Sequence, residues 1–85
     1  MNVKVIYKPE SEEARAVEDY MRDVLRQTGH NLDTVDLESK EGIAFCQTYD
    51  IVQYPTLLAL SEDGLMQNMW SGLPLPTINE VSYYL

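Results

Sequence analysis

Three residues are the first candidates for a chemical role: the one histidine, His30, the one cysteine, Cys46, and Ser11 at the start of a predicted helix. A hydrolytic serine needs a general base beside it and an oxyanion site nearby. His30 follows the other end of the same predicted helix, about 28 Å from Ser11 at about 1.5 Å per residue. We therefore predict that Ser11 caps the helix and does not attack a substrate.

Cys46 lies in a second predicted helix, among apolar residues. A single cysteine forms no internal disulfide, and a buried cysteine usually packs as a small hydrophobic side chain. A thiol that senses peroxide or glutathione is the alternative. Such a thiol usually has a resolving cysteine or a cationic neighbour, and the sequence around Cys46 supplies neither. We predict a buried thiol and keep the reactive thiol as an alternative.

Acidic residues dominate the charge of the chain. Fourteen Asp and Glu residues against six Lys and Arg residues give a net charge of -8, which repels phosphate backbones and acidic lipids. No apolar run approaches the roughly 20 residues that span a bilayer, and no spacing of acidic, His or Cys residues suits calcium or zinc. We predict no metal, no cofactor, no nucleic acid and no membrane partner. With no export signal, we expect a cytoplasmic protein.

The first half of the chain predicts two strands and two helices. Residues 3–7 form an apolar, β-branched run typical of a buried strand. Residues 11–28 have a helical apolar stripe that ends at Gly29, a natural C-terminal stop; the stripe consists of Ala14, Val17, Tyr20, Met21, Val24 and Leu25. Residues 32–37 predict a second strand, and Ser39 is expected to open a second helix.

The second half predicts a hairpin and a last helix. Pro55 cannot donate to a β-ladder, so it is expected just before a strand over residues 56–60. Residues 62–64, with Gly64, predict the turn into a returning strand over residues 65–70. Thr77 and Glu80 have the spacing of a capping box, which opens the last helix. The hydrophobic fraction of 45% and the length of 85 residues suit one domain over residues 1–85.

The stretch from Asp50 to Leu60 resembles the segment before and through the third strand of the thioredoxin superfamily, where the chain runs into a cis-Pro-Thr. The resemblance implies an α/β fold with element order βαβαββα. Its four-stranded mixed sheet has the order 2-1-3-4, with helices on both faces, and the length is similar to that of glutaredoxin. It also implies that the bond between Tyr54 and Pro55 is cis.

The same resemblance places a degenerate active site after the first strand. In the superfamily, Tyr-x-Pro-x-Cys-x-x-Cys sets the attacking thiol at a helix N-terminus, where the helix dipole favours the thiolate. Residues 7–14 match that pattern with Ser11 at the first cysteine and Ala14 at the second. Neither residue can exchange with a disulfide. The resemblance therefore implies a fold without catalytic residues at this location.

The resemblance also implies a peptide-binding groove that does not depend on the catalytic cysteines. One wall would be Tyr54 and Pro55, the other would be the segment 71–73, and the floor would include Pro9 and Ser11; the second wall consists of Ser71, Gly72 and Leu73. Main-chain pairing with an extended peptide needs no thiol. We expect a redox-inactive module that binds a protein or peptide. The alternatives are a weak thiol-redox or glutathione-linked protein that uses Cys46, and an adaptor like the clock protein KaiB.

Overall fold

The computed structural model describes residues 2–85. Its elements alternate as the sequence predicts, with bounds that differ by a few residues. They are β1 (Asn2–Tyr7), α1 (Ala14–Thr28), β2 (Asp33–Asp36), α2 (Lys40–Thr48), β3 (Thr56–Leu60), β4 (Met66–Ser71) and α3 (Ile78–Ser82).

The four strands form one mixed sheet in the order β2-β1-β3-β4. β1 runs parallel to β2, whereas β3 is antiparallel to both β1 and β4. The register pairs Ile6 with Val35 on one side and with Thr56 on the other. β3 is buried along its whole length, as expected for an apolar strand that is covered on both faces. The predicted fold class is confirmed.

The helices divide between the two faces of the sheet. Alternate residues of β1 and β3 pack with α1 and α3 in one apolar cluster; its buried members are Val3, Val5, Tyr7, Ala14, Val17, Val24, Leu32, Leu57, Ala59 and Val81. The opposite alternation packs with α2 in a second cluster, which contains Ile6, Cys46, Ile51, Leu58 and Leu60. The twofold alternation of side chains along a strand produces this division.

The start of α1 differs from the prediction. The N-cap position is Glu13, with no side-chain capping bond, and the Ser11 hydroxyl instead donates to the Lys8 carbonyl at 2.7 Å. Ser11 therefore stabilises the turn before the helix, and the predicted capping role is wrong. The helix ends as predicted, at Gly29 with φ of 76°. Leu25 is 41% exposed, so the inward stripe is narrower than predicted.

Capping hydrogen bonds define where α2 begins and ends. The Ser39 hydroxyl accepts from the Gly42 amide at 2.9 Å, as predicted. At the other end Asp50 adopts a left-handed conformation with φ of 56°. The Ile51 amide then donates to the Cys46 carbonyl at 2.8 Å. This is the Schellman pattern of hydrogen bonds, and the accompanying apolar contact between Ile51 and Cys46 turns the chain back onto the sheet.

The last third of the chain follows the predicted hairpin and capping box. The Ser61 amide donates to the Leu65 carbonyl at 2.9 Å, and Gly64 has φ of 82°. The Thr77 hydroxyl accepts from the Glu80 amide at 3.2 Å and opens α3. Val81 on this helix is fully buried, which anchors α3 against the same face of the sheet as α1.

Candidate binding groove

A cavity of about 450 Å³ opens where β1, the start of α1 and the segment before β3 meet. It brings together three residues that the sequence assigned to a groove, namely Ser11, Tyr54 and Pro55. The sequence analysis missed the other lining residues, which are Tyr7, Lys8, Glu13, Leu37 and Glu38. They come from the ends of β1 and β2 and from the first turn before α1, so only the folded sheet places them beside Pro55.

Ser11 lines this cavity, and Ala14 follows it three residues later. The Ser11 amide donates to the Lys8 carbonyl at 3.0 Å, and the Ala14 amide donates to the Ser11 carbonyl at 3.2 Å. Ser11 is partly exposed, whereas Ala14 is 5% exposed and belongs to the core. The position nearer the cavity therefore carries a hydroxyl group, and the position behind it carries a methyl group.

Tyr54 forms a half-exposed wall of the cavity. Its peptide bond to Pro55 is cis, the residue is 45% exposed, and its hydroxyl donates to the Ile51 carbonyl at 3.5 Å. Among the backbone hydrogen bonds of residues 2–85, none involves the Tyr54 amide or carbonyl. A main-chain donor and a main-chain acceptor of a residue that lines the cavity are thus unpaired with other backbone groups of the described residues.

The residues predicted as the second wall lie close to Pro55. The Gly72 amide donates to the Pro55 carbonyl at 2.8 Å, and Ser71 pairs with Thr56 at the end of the hairpin. Leu73 is 56% exposed. The Gly72 amide is thus already used within the protein, so Tyr54 provides the open main-chain groups. Pro9 lines a separate cavity of about 150 Å³, together with Lys8, Glu10, Asp36 and Glu38.

A second apolar cavity, of about 350 Å³, continues from the first and shares Leu37 and Tyr54 with it. Its remaining walls are Ile43, Cys46, Gln47, Asp50, Ile51 and Val52. Ile43 is 49% exposed and Val52 is 78% exposed. Ile51 and Val52 are adjacent aliphatic residues, and the turn at Asp50 sends Ile51 inward and Val52 outward.

Cys46 lies at the bottom of this second cavity and is 9% exposed, in keeping with the predicted buried thiol. Partial burial raises the pKa of the Tyr54 hydroxyl, and the neighbouring Cys46 thiol raises it further. Burial likewise raises the pKa of the Tyr7 hydroxyl, and Glu18, which accepts its hydrogen bond at 3.3 Å, adds to that effect. Both phenols therefore stay neutral at physiological pH and serve as hydrogen-bonding groups.

Carboxylates surround the two cavities. Lys8 is the basic residue among the lining residues, and its ammonium group lies 3.9 Å from the Glu38 carboxylate. The acidic residues that line these cavities and the adjoining one around Pro9 are Glu10, Glu13, Asp36, Glu38 and Asp50. The site therefore combines apolar walls with a negative rim.

Within residues 2–85, no group of three or more His, Cys, Asp and Glu side chains is arranged to hold a metal ion. None of the helices that the structure describes has the length and apolar character needed to cross a membrane.

A solved structure is similar to this chain over nearly its whole length. It is thioredoxin 1 from the thermophilic eubacterium Thermosipho africanus TCF52B, with a TM-score of 0.69 and 12% sequence identity. The match covers 99% of this chain and 89% of the thioredoxin. The chain has a thioredoxin-like fold. No family model and no curated protein matches it, so the similarity concerns the thioredoxin-like fold alone.

Proposed function

We propose that this thioredoxin-like chain is a redox-inactive module that binds an extended peptide or protein segment in the cavity beside Pro55. The observation that carries the proposal is the open amide and carbonyl of Tyr54 next to an apolar cavity of about 450 Å³. An extended segment can pair with such a main-chain donor and acceptor, while neighbouring side chains enter the cavity.

The residues at the helix start support binding without thiol exchange. Ser11 and Ala14 stand where the thioredoxin pattern has its two cysteines, and a hydroxyl group cannot replace a thiolate in disulfide exchange. Glu12 and Glu13 add negative charge at the start of α1, which disfavours a thiolate or an anionic ligand such as glutathione at this position.

A thiol-reactive protein that uses Cys46 is the second candidate. It is favoured by one observation, the position of Cys46 in the wall of an open cavity that Tyr54 also lines. Its low exposure of 9% and the absence of a basic residue among the residues that line its cavity favour the binding function. The cytoplasmic location remains a prediction from the sequence.

The proposed function can be tested with random peptides displayed on phage and selected on the immobilised protein. A peptide enriched in this way is then titrated against two variants by fluorescence anisotropy. Ser11→Trp fills the cavity, whereas Ser82→Trp makes the same change on exposed α3, where the serine hydroxyl bonds a carbonyl in a similar way. We expect Ser11→Trp to weaken binding by about tenfold or more and Ser82→Trp to leave it unchanged. Equal affinities for the two variants would refute the groove.

A further inference from the structure

The second cavity, beside Cys46, has the composition of a side-chain pocket. Leu37, Ile43, Ile51 and Val52 provide aliphatic walls, and Tyr54 lines both this cavity and the first. Its volume of about 350 Å³ lies within the range of roughly 300–1,000 Å³ that is common for ligand pockets. Because exposed aliphatic residues gain free energy when they are covered, these walls favour an apolar occupant.

The charges around the pocket narrow the choice of occupant. Asp50 lines this pocket, and Glu13, Glu38 and Lys8 line the adjoining cavity, where the Lys8 ammonium group lies 3.9 Å from the Glu38 carboxylate. The three carboxylates outnumber the one ammonium group, so the surroundings are negative in sum. An acidic or neutral segment gains nothing from these carboxylates, whereas a nearby lysine or arginine side chain would meet them directly. A second copy of this chain is disfavoured because each copy has a net charge of -8 and would bring a like-charged rim to the interface.

We propose that this pocket takes a large apolar side chain from a bound peptide whose neighbouring residues are lysine or arginine. The proposal rests on the proposed function, because the same peptide would pair with Tyr54 in the first cavity. It adds the class of ligand, which is an extended segment with an apolar anchor and a basic flank. The anchor would contact Ile43 and Val52, and the basic flank would face Glu38.

The test uses the same displayed random peptides, selected in parallel on the wild-type protein, Ile43→Ser and Leu25→Ser. Ile43 lines the pocket and is 49% exposed, whereas Leu25 is 41% exposed on α1 and provides a matched aliphatic control. Since both side chains are substantially exposed, both variants should fold, and thermal unfolding checks this. We expect wild-type and Leu25→Ser selections to enrich peptides with a large apolar residue beside Lys or Arg, and Ile43→Ser to lose the apolar preference.

The contribution of the pocket to binding is then measured from the affinities of single peptides. Replacing the apolar residue of one enriched peptide by serine should weaken binding to the wild type by between about tenfold and a hundredfold. The same replacement should have a much smaller effect on Ile43→Ser, since the pocket wall is already lost. Glu38→Gln should weaken the salt-dependent part of binding, and Glu62→Gln in the hairpin should not. Peptide binding should also slow the reaction of Cys46 with a thiol reagent.

The outcomes separate this inference from the function on which it rests. The pocket would be refuted, and the groove supported, if Ser11→Trp prevents the enriched peptides from binding but their sequences show no preference for an apolar residue beside Lys or Arg. The same conclusion would follow if that preference is present but Ile43→Ser does not change it. A sequence preference that Ile43→Ser abolishes, in peptides whose affinity Ser11→Trp does not change, would support the pocket and refute the groove. No enrichment at all would refute both. If sedimentation shows that the protein self-associates and that Ile43→Ser abolishes this, the pocket binds a second copy of the chain, and the proposal of a peptide ligand is refuted.

Discussion

The backbone of α2 at Gly42 packs directly on the carbonyl oxygen of Asp36, so closely that a Cβ atom at Gly42 would overlap with it. The same carbonyl accepts hydrogen bonds from the Ser39 amide at 3.2 Å and the Ser39 hydroxyl at 2.8 Å. The first turn of α2 is therefore held against the end of β2. Leu37 and Ile43, which follow Asp36 and Gly42 in sequence, are two walls of the pocket beside Cys46.

Gly42→Ala should destabilise the protein although alanine favours helices. Helix propensity would stabilise the variant by about 1 kcal/mol, but the overlap with the Asp36 backbone must push α2 away. Overpacking typically costs about 1–3 kcal/mol and occasionally more, so we expect the overlap to outweigh the gain. We expect a lower midpoint of urea unfolding. Ala44→Gly, at an exposed position of the same helix, measures helix propensity alone. A stabilised Gly42→Ala protein would show that the contact is not tight.

Asp50→Gly should have the opposite effect. Asp50 holds a left-handed conformation with φ of 56°, which costs a residue with a Cβ atom up to about 1–2 kcal/mol and costs glycine nothing. The greater freedom of glycine in the unfolded chain offsets part of that gain. We expect the free energy of unfolding to rise by a few tenths to about 1 kcal/mol in urea titrations. A loss of stability would mean that the Asp50 carboxylate has a structural role.

Tyr20→Phe tests a buried hydroxyl that has no hydrogen-bond partner among the described residues. Burial, and then the charge of Glu80, raise the pKa of Tyr20 from 10.0 to about 12. Removing an unpaired hydroxyl should leave the free energy of unfolding at neutral pH unchanged or raise it by about 1 kcal/mol. Tyr83→Phe, at a residue that is 86% exposed, is the control.

The same tyrosine predicts a loss of stability in alkali. A folded-state pKa above the unfolded value favours the folded state below pH 10, and this contribution is lost as the pH rises from 10 towards about 12. Wild-type protein should therefore lose stability relative to Tyr20→Phe across this window, as measured by denaturant unfolding at several pH values. Parallel pH profiles for the two proteins would contradict the raised pKa of Tyr20.

Cys46 should react slowly with a thiol reagent in the native protein and rapidly in denaturant. At 9% exposure, its sulfur is largely shielded from the reagent, and a thiol must be accessible to react. A cysteine introduced by Ser82→Cys in a Cys46→Ala protein provides the exposed reference. Cys46→Ala should cost about 1 kcal/mol of stability. Native-state labelling as fast as at the reference position would favour the thiol-reactive function over peptide binding.

The chain should not catalyse disulfide reduction. Insulin reduction by dithiothreitol is expected to proceed at the same rate with and without the protein, because the resemblance to the superfamily pattern implies that Ser11 and Ala14 occupy the positions of the exchanging thiols. The double variant Ser11→Cys, Ala14→Cys should form a disulfide under mild oxidation, detected by mass spectrometry and loss of free thiols. A pair of thiols that stays reduced would show that the match to the superfamily pattern is displaced.

Local pattern predicted the elements because each one depends on near neighbours in sequence. The apolar run of β3, the stop at Gly29 and the hydroxyl caps at Ser39 and Thr77 all act within one helical turn or one strand. The start of α1 could not be predicted in this way. Ser11 has the right chemistry for a cap, but its hydroxyl bonds back to Lys8, and the helix begins three residues later.

By itself, the sequence determined the order of strands and helices, the single thiol and the negative charge, since these follow from residue types and their spacing. Tertiary structure alone decided which side chains meet. It joined Ser11, Leu37 and Tyr54 at one cavity and divided Ile51 from Val52 through the turn at Asp50. Residues distant in sequence become neighbours only when β1 pairs with both β2 and β3, because that pairing brings the strand ends together at one edge of the sheet.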